Sequence, residues 1–146
     1  MNDLNIKIYA DGANVNEIIK MDRENSVEGF TTNPTLMRKA GAKNYKSYSQ
    51  QILKIAPKKK ISLEVFGDNY NDIKRQALKI NSWGKNIYVK IPVVNSKGKF
   101  TGKVIKESSS NGIKLNITAV YTAKQTARIL KRINKRTKVI ISIFAG

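Results

Sequence analysis

An α/β fold of repeated βα units is predicted by three observations. Six apolar, β-branched runs recur along this 146-residue chain, capped amphipathic segments separate them, and polar residues gather at one end of the runs. The runs are Ile6 to Ala10, Val27 to Thr31, Ile61 to Phe66, Asn86 to Ile91, Ile113 to Thr118 and Lys138 to Phe144. Their starts lie 21, 34, 25, 27 and 25 residues apart, the repeat of a strand, a turn, a helix and a turn. Near-continuous apolar strands such as VIISIF are expected to be buried on both faces, as in a parallel sheet.

The segments between the runs have legible caps. Asn44 opens YKSYSQQILKIA before Pro57, and Asn69 opens YNDIKRQALKINSW, stopped by Gly84. Thr101 opens GKVIKESSSN, stopped by Gly112, and Thr122 opens AKQTARILKRIN. Asn and Thr side chains accept from the free N–H groups of a first helical turn, whereas Gly and Pro end a helix. Each segment can serve as a crossover helix. The run SSSNG reads as a helix end, and no linker composition interrupts the chain, so residues 1–146 are expected to form one domain.

Such units build either a doubly wound open sheet or a (β/α)8 TIM barrel. The polar residues favour the barrel: Asp11, Asn33, Glu64, Lys90, Asn116 with Thr118, and Ser142 all lie at or near the C-terminal ends of the runs. A barrel active site draws its side chains from those ends. Ser62 and Glu64 share one face of their strand, as do Asn116 and Thr118, so each pair can point inward together.

Composition excludes several chemistries. With no His and no Cys, the chain has no Ser-His or Cys-His nucleophile pair, thiol redox centre, disulfide or ordinary zinc site. Catalysis must run on Lys, Asp, Glu, Ser, Thr, Tyr or Asn. No segment approaches the roughly 20 apolar residues of a membrane span, and MNDLNIKIYADGAN lacks the apolar core of a signal peptide. A cytoplasmic protein without a membrane partner is expected.

The formal charge is +18, from 28 basic and 10 acidic residues, and it is uneven. Met1 to Ala56 has 8 basic and 6 acidic residues, and Pro57 to Gly146 has 20 and 4. Lys124 to Lys138, with seven basic residues and no acid, could contact phosphates. Against that, Lys, Ile and Asn number 22, 19 and 15 and share AT-rich codons, which places much of the lysine on solvated helix faces. The stretch also lacks the aromatic interleaving of a single-strand binder, so nucleic acid is not the expected partner.

Lys90, in YVKIPV, is the most telling residue. Burial among Val, Ile and Pro disfavours an ammonium and frees a neutral amine, which attacks carbonyls. The same position also reads as a strand-end lysine whose stem lies on apolar residues while its head reaches water. Glu64 and Asp11, at matching strand ends, could donate and accept the protons that carbinolamine dehydration needs. Taken singly, Glu64 is equally an ion-pair partner for Lys90, Asp11 a turn residue before Gly12, Asn33 a strand end held extended by Pro34, and Ser142 a core hydroxyl. Their common location is what points to a site.

The runs IYADGAN, GFTTNPTLMRKAG, SLEVFGD, WGKNIYVKIPV, GIKLNITAVYTAKQ and VIISIFAG, in this order, resemble the transaldolases, in particular the short branch that includes fructose-6-phosphate aldolases. The resemblance implies a class I aldolase-type barrel that acts on sugar phosphates without metal or cofactor, in a homo-oligomeric parent enzyme. It implies a Schiff base on Lys90 and transfer of a dihydroxyacetone unit between sugar phosphates, as in the pentose phosphate pathway. In that frame Glu64 and Thr118 hold the water that relays protons, and Asp11 takes the C4 hydroxyl proton. Asn33, Asn116 and Ser142 bind substrate hydroxyls. Glu64 and Phe144 stand where the aldolase branch has Gln and Tyr, which favours transfer over release of free dihydroxyacetone.

The chain departs from the family after Gly146, where an Arg that binds substrate phosphate and two more βα units are expected. It therefore reads as the N-terminal part of such an enzyme, weakly active or inactive alone. The other readings are an aldolase-type lyase and a catalytically dead basic fragment that binds nucleic acid through Lys124 to Lys138.

Overall fold

The computed structural model describes residues 7–143. Strands and helices alternate in the order β1 (Tyr9–Asp11), α1 (Val15–Glu24), β2 (Gly29–Thr31), α2 (Pro34–Lys39), α3 (Tyr45–Ile55), β3 (Lys60–Glu64), α4 (Tyr70–Asn81), β4 (Ile87–Pro92), α5 (Gly102–Ser110), β5 (Leu115–Val120), α6 (Ala123–Leu130) and β6 (Val139–Ile143). All six strands lie in one parallel sheet in chain order, β1-β2-β3-β4-β5-β6. A doubly wound sheet would reverse its strand order partway; this one does not, and it curls around a common cavity. The described residues thus hold six of the eight units of a (β/α)8 TIM barrel, with β1 and β6 as its edges.

Two-residue alternation sorts the faces of each strand. Ile61, Leu63, Ile87, Val89, Ile91, Leu115 and Ile117 are fully buried in one apolar cluster with helix residues such as Ile52, Ile73, Ala77 and Ile105. The positions between them, Ser62, Glu64, Tyr88, Lys90, Asn116 and Thr118, turn to the inner face. The sheet is therefore apolar toward its helices and polar inside.

Asparagine starts most of the helices. Asn14, Asn33, Asn44 and Asn69 each accept a hydrogen bond from a backbone N–H of the turn they open, and Thr122 with Gln125 forms a capping box. Thr101 does not cap α5: its hydroxyl donates to the carbonyls of Pro92 (2.8 Å) and Val93 (3.1 Å), tying the helix start to the end of β4.

Three features differ from the sequence expectations. The helices α1 and α2 were not anticipated; both are short and start on Asn, and Pro34 suits the first turn of α2 because its absent N–H would be unpaired there. The helix α6 ends at Leu130, with Lys131 as its cap, rather than running to Asn134. Within β6 no residue is fully buried, and Ile143 is 60% exposed, because no strand covers that edge among the described residues. Ile6 and Phe144 lie outside the described residues. No helix among them is long and apolar enough to cross a membrane.

Candidate active site

Parallel register assembles the site. Glu64 of β3 stands opposite Lys90 of β4, and Lys90 opposite Asn116 of β5. Toward the other edge, Asp11 of β1 stands opposite Thr31 of β2, and Thr31 opposite Ser62 of β3. Asp11, Asn33, Glu64, Lys90, Thr118 and Ser142 all line one open cavity of about 1280 Å³.

Lys90 is 8% exposed, with its side chain at the wall of the cavity. Its Nζ lies 3.6 Å from Glu64 Oε2 and donates to the Thr32 carbonyl at 3.4 Å. Both contacts are longer than the roughly 2.7–2.9 Å of a tight charge-assisted hydrogen bond. The amine is therefore oriented without being locked. Burial pushes the Glu64 carboxyl above the ordinary range; Lys90 opposes that effect and the charge of Asp11 adds to it. A carboxyl so placed holds a proton more readily than a solvated glutamate.

The exposed carboxylate of Asp11 is held by one oxygen: Thr31 Oγ1 donates to Oδ1 at 2.6 Å. Asn33 spends its Oδ1 on the N–H of Leu36 (2.9 Å) as the cap of α2, which leaves its amide N–H groups to face the cavity. Asn116 is fully buried beneath the cavity wall: its Nδ2 donates to Ser62 Oγ (2.9 Å) and its Oδ1 accepts from Ser142 Oγ (2.7 Å). Asn116 is thus tied to both seryl hydroxyls and, unlike the other sequence-predicted site residues, does not itself line the cavity.

Thr118 stands at the cavity just before an irregularity in β5, where the register with β6 shifts and Ala119 adopts φ of 56°. Bulges next to active sites re-aim side chains, and this one bends the strand directly after Thr118. Among the described residues, the Thr118 hydroxyl has no hydrogen-bond partner and is available to a ligand or water.

Three neighbours were missed as site residues. Thr31 orients Asp11, Thr32 supplies the carbonyl facing Lys90 and buries a hydroxyl that has no partner among the described residues, and Ser62 anchors Asn116. The two threonines belong to TTNPT, and Ser62 shares the inner face of Glu64, so both signals were present in the sequence. Among the described residues no group of three or more His, Cys, Asp or Glu side chains is placed to hold a metal.

Comparison with known proteins agrees with this architecture. The profile of the family described as Transaldolase/Fructose-6-phosphate aldolase matches residues 8–146. A protein named probable transaldolase from Dehalococcoides mccartyi is 35% identical over 120 residues, covering 82% of this chain and 54% of that protein. Proteins of the same name from Streptococcus agalactiae and Nitrosopumilus maritimus are 32% identical over 126 residues and 33% identical over 120 residues. These alignments cover 86% and 82% of this chain, and 56% and 51% of those proteins. The chain spans about half the length of the curated relatives it matches. It belongs to the transaldolase/fructose-6-phosphate aldolase family.

Proposed function

We propose that this site transfers a dihydroxyacetone unit between sugar phosphates through a Schiff base on Lys90. One observation carries the reading: a lysine amine, 8% exposed, sits 3.6 Å from a half-buried carboxyl whose proton affinity is raised, at the C-terminal ends of adjacent barrel strands. A ketose phosphate would enter the cavity beside Lys90.

In the first half-reaction Lys90 Nζ adds to the C2 carbonyl and the carbinolamine loses water. Glu64, through a water shared with Thr118, gives the proton that lets hydroxide leave and takes one from nitrogen. Asp11 then removes the C4 hydroxyl proton. The C3–C4 bond breaks, an aldose phosphate departs, and the bonding electron pair passes into the protonated imine as an enamine. Asn33 and Ser142 hold the hydroxyls of the remaining three-carbon unit, and Asn116, expected to bind them too, acts from beneath by fixing Ser142.

In the second half, the enamine carbon attacks the aldehyde of an acceptor aldose phosphate, Asp11 returns its proton to the new alkoxide, and water hydrolyses the imine. The cytoplasmic pentose phosphate pathway is the setting that this reading assigns.

The test is product analysis of the full-length parent enzyme with fructose 6-phosphate in the presence and absence of an aldose phosphate acceptor. Transfer predicts a ketose phosphate three carbons longer than the acceptor, formed only when the acceptor is present. Free dihydroxyacetone formed regardless of acceptor would replace the transfer reading with an aldolase-type lyase, and no turnover in either condition would overturn both.

A further inference from the structure

We propose that the end of the sheet opposite Lys90 binds the phosphate groups of a compact polyphosphate anion between Lys114 and Lys138. Lysine recurs at this N-terminal end: Lys7, Lys60, Lys85, Lys114 and Lys138 stand at or just before the starts of five of the six strands. Lys114 precedes by two residues, about 7 Å along the strand, the Asn116 that stands opposite Lys90, so this end is the far floor of the same cavity that Lys90 lines.

The centre of the cluster is a built arrangement. Leu115 pairs with Val139, which brings the preceding Lys114 and Lys138 side by side on strands about 4.8 Å apart. Lys114 is fixed: its Nζ donates to the Lys85 carbonyl and lies 5.3 Å from the centroid of the buried Tyr88 ring. Lys138 is exposed and lines the cavity with Lys7 and Lys60.

Counter-charge is what the cluster lacks. Lys60 is answered by Glu28 at 2.8 Å, whereas among the described residues neither Lys114 nor Lys138 forms an ion pair. Burial and the charge of Lys138 together draw the Lys114 ammonium below its ordinary pKa, so the adjacency is unfavourable when empty. An anion held between the two would relieve it.

Phosphate suits the pair better than carboxylate, because two rotating ammonium groups act as point charges toward a tetrahedral cluster of oxygens. A compact anion suits the place better than a duplex: the open cavity that Lys7, Lys60 and Lys138 line admits a small ligand, whereas a double helix needs an extended outer face. A run of phosphates, either inorganic or the tail of a nucleotide, matches several lysines at once.

The experiment is calorimetric titration of the chain with inorganic tripolyphosphate, ATP and adenosine. Saturable binding of tripolyphosphate and ATP, with none of adenosine, is expected; binding of ATP and adenosine without tripolyphosphate would overturn the proposal. Lys138→Glu, at an exposed position, should weaken tripolyphosphate by about tenfold or more, whereas Lys97→Glu, an equal charge change in the loop after β4, should not. Lys90→Met should bind as the parent chain does, which separates this test from that of the imine chemistry. Equal losses in Lys138→Glu and Lys97→Glu would mean diffuse charge and overturn the site, as would full affinity in Lys138→Glu, or binding of duplex DNA alone.

Discussion

At the scale of single residues, the candidate site sets a half-buried carboxyl beside a buried lysine at 3.6 Å, close but not clamped. The consequence for Glu64 has a definite sign. Its folded pKa is raised above the ordinary 4.5 by burial, so the fold holds its proton more tightly than the unfolded chain does. That contribution to stability is full below the unfolded value and is lost as pH rises through the folded one. Glu64→Gln, which cannot ionise, should remove this part of the pH slope. Urea denaturation from about pH 4 to about pH 7 should show the parent chain losing stability relative to the variant, and parallel curves would contradict the assigned direction. Lys90, Glu64, Asp11 and Asn33 were legible in the sequence because polar residues at the ends of apolar runs are conspicuous. Thr31, Thr32 and Ser62 were harder to see, since a hydroxyl inside a β-rich run is ordinary until a partner across the sheet gives it a role, as Asp11 does for Thr31 and Asn116 does for Ser62.

At the scale of elements, close backbone approach between β2 and β3 sets the register that brings Asp11, Thr31 and Ser62 into line. Gly29 makes this possible: a Cβ there would stand 2.2 Å from the Lys60 carbonyl oxygen. Gly29→Ala should therefore destabilise the chain by about 1–3 kcal/mol, measured by chemical denaturation, because the neighbour is backbone and cannot step aside. An unchanged midpoint would mean the two strands can separate without cost. The strands were readable from their β-branched runs, although their boundaries, apart from the end of β2 at Thr31, moved by one to three residues, as hydrophobicity marks burial rather than ladder hydrogen bonds. The helices α1 and α2 escaped because the residues around their starts read as turn chemistry: Asn14 stands two residues after Gly12, and Asn33 precedes Pro34. In both, the asparagine caps a helix instead.

At the scale of the whole molecule, stability is expected to be graded across the sheet. The fully buried aliphatic residues concentrate in β3, β4 and β5, whereas β1 is three residues long and β6 has no fully buried residue. Amide hydrogen exchange should be slowest in β3 to β5 and fastest in β1 and β6; uniform protection would contradict a sheet with open edges. The parallel order was foreseeable from the repeat length, but the exposure of VIISI was not, because an apolar run reports a face that could be covered and carries no information on what covers it. The central claim, that Lys90 is the nucleophile, rests on the meeting of these scales. Its most direct test is borohydride reduction of the full-length parent enzyme with fructose 6-phosphate, followed by peptide mass spectrometry. The account predicts one reduced sugar-phosphate adduct, located on Lys90 and absent from Lys90→Met; an adduct on another lysine, an adduct that persists in Lys90→Met, or no adduct at all would contradict it.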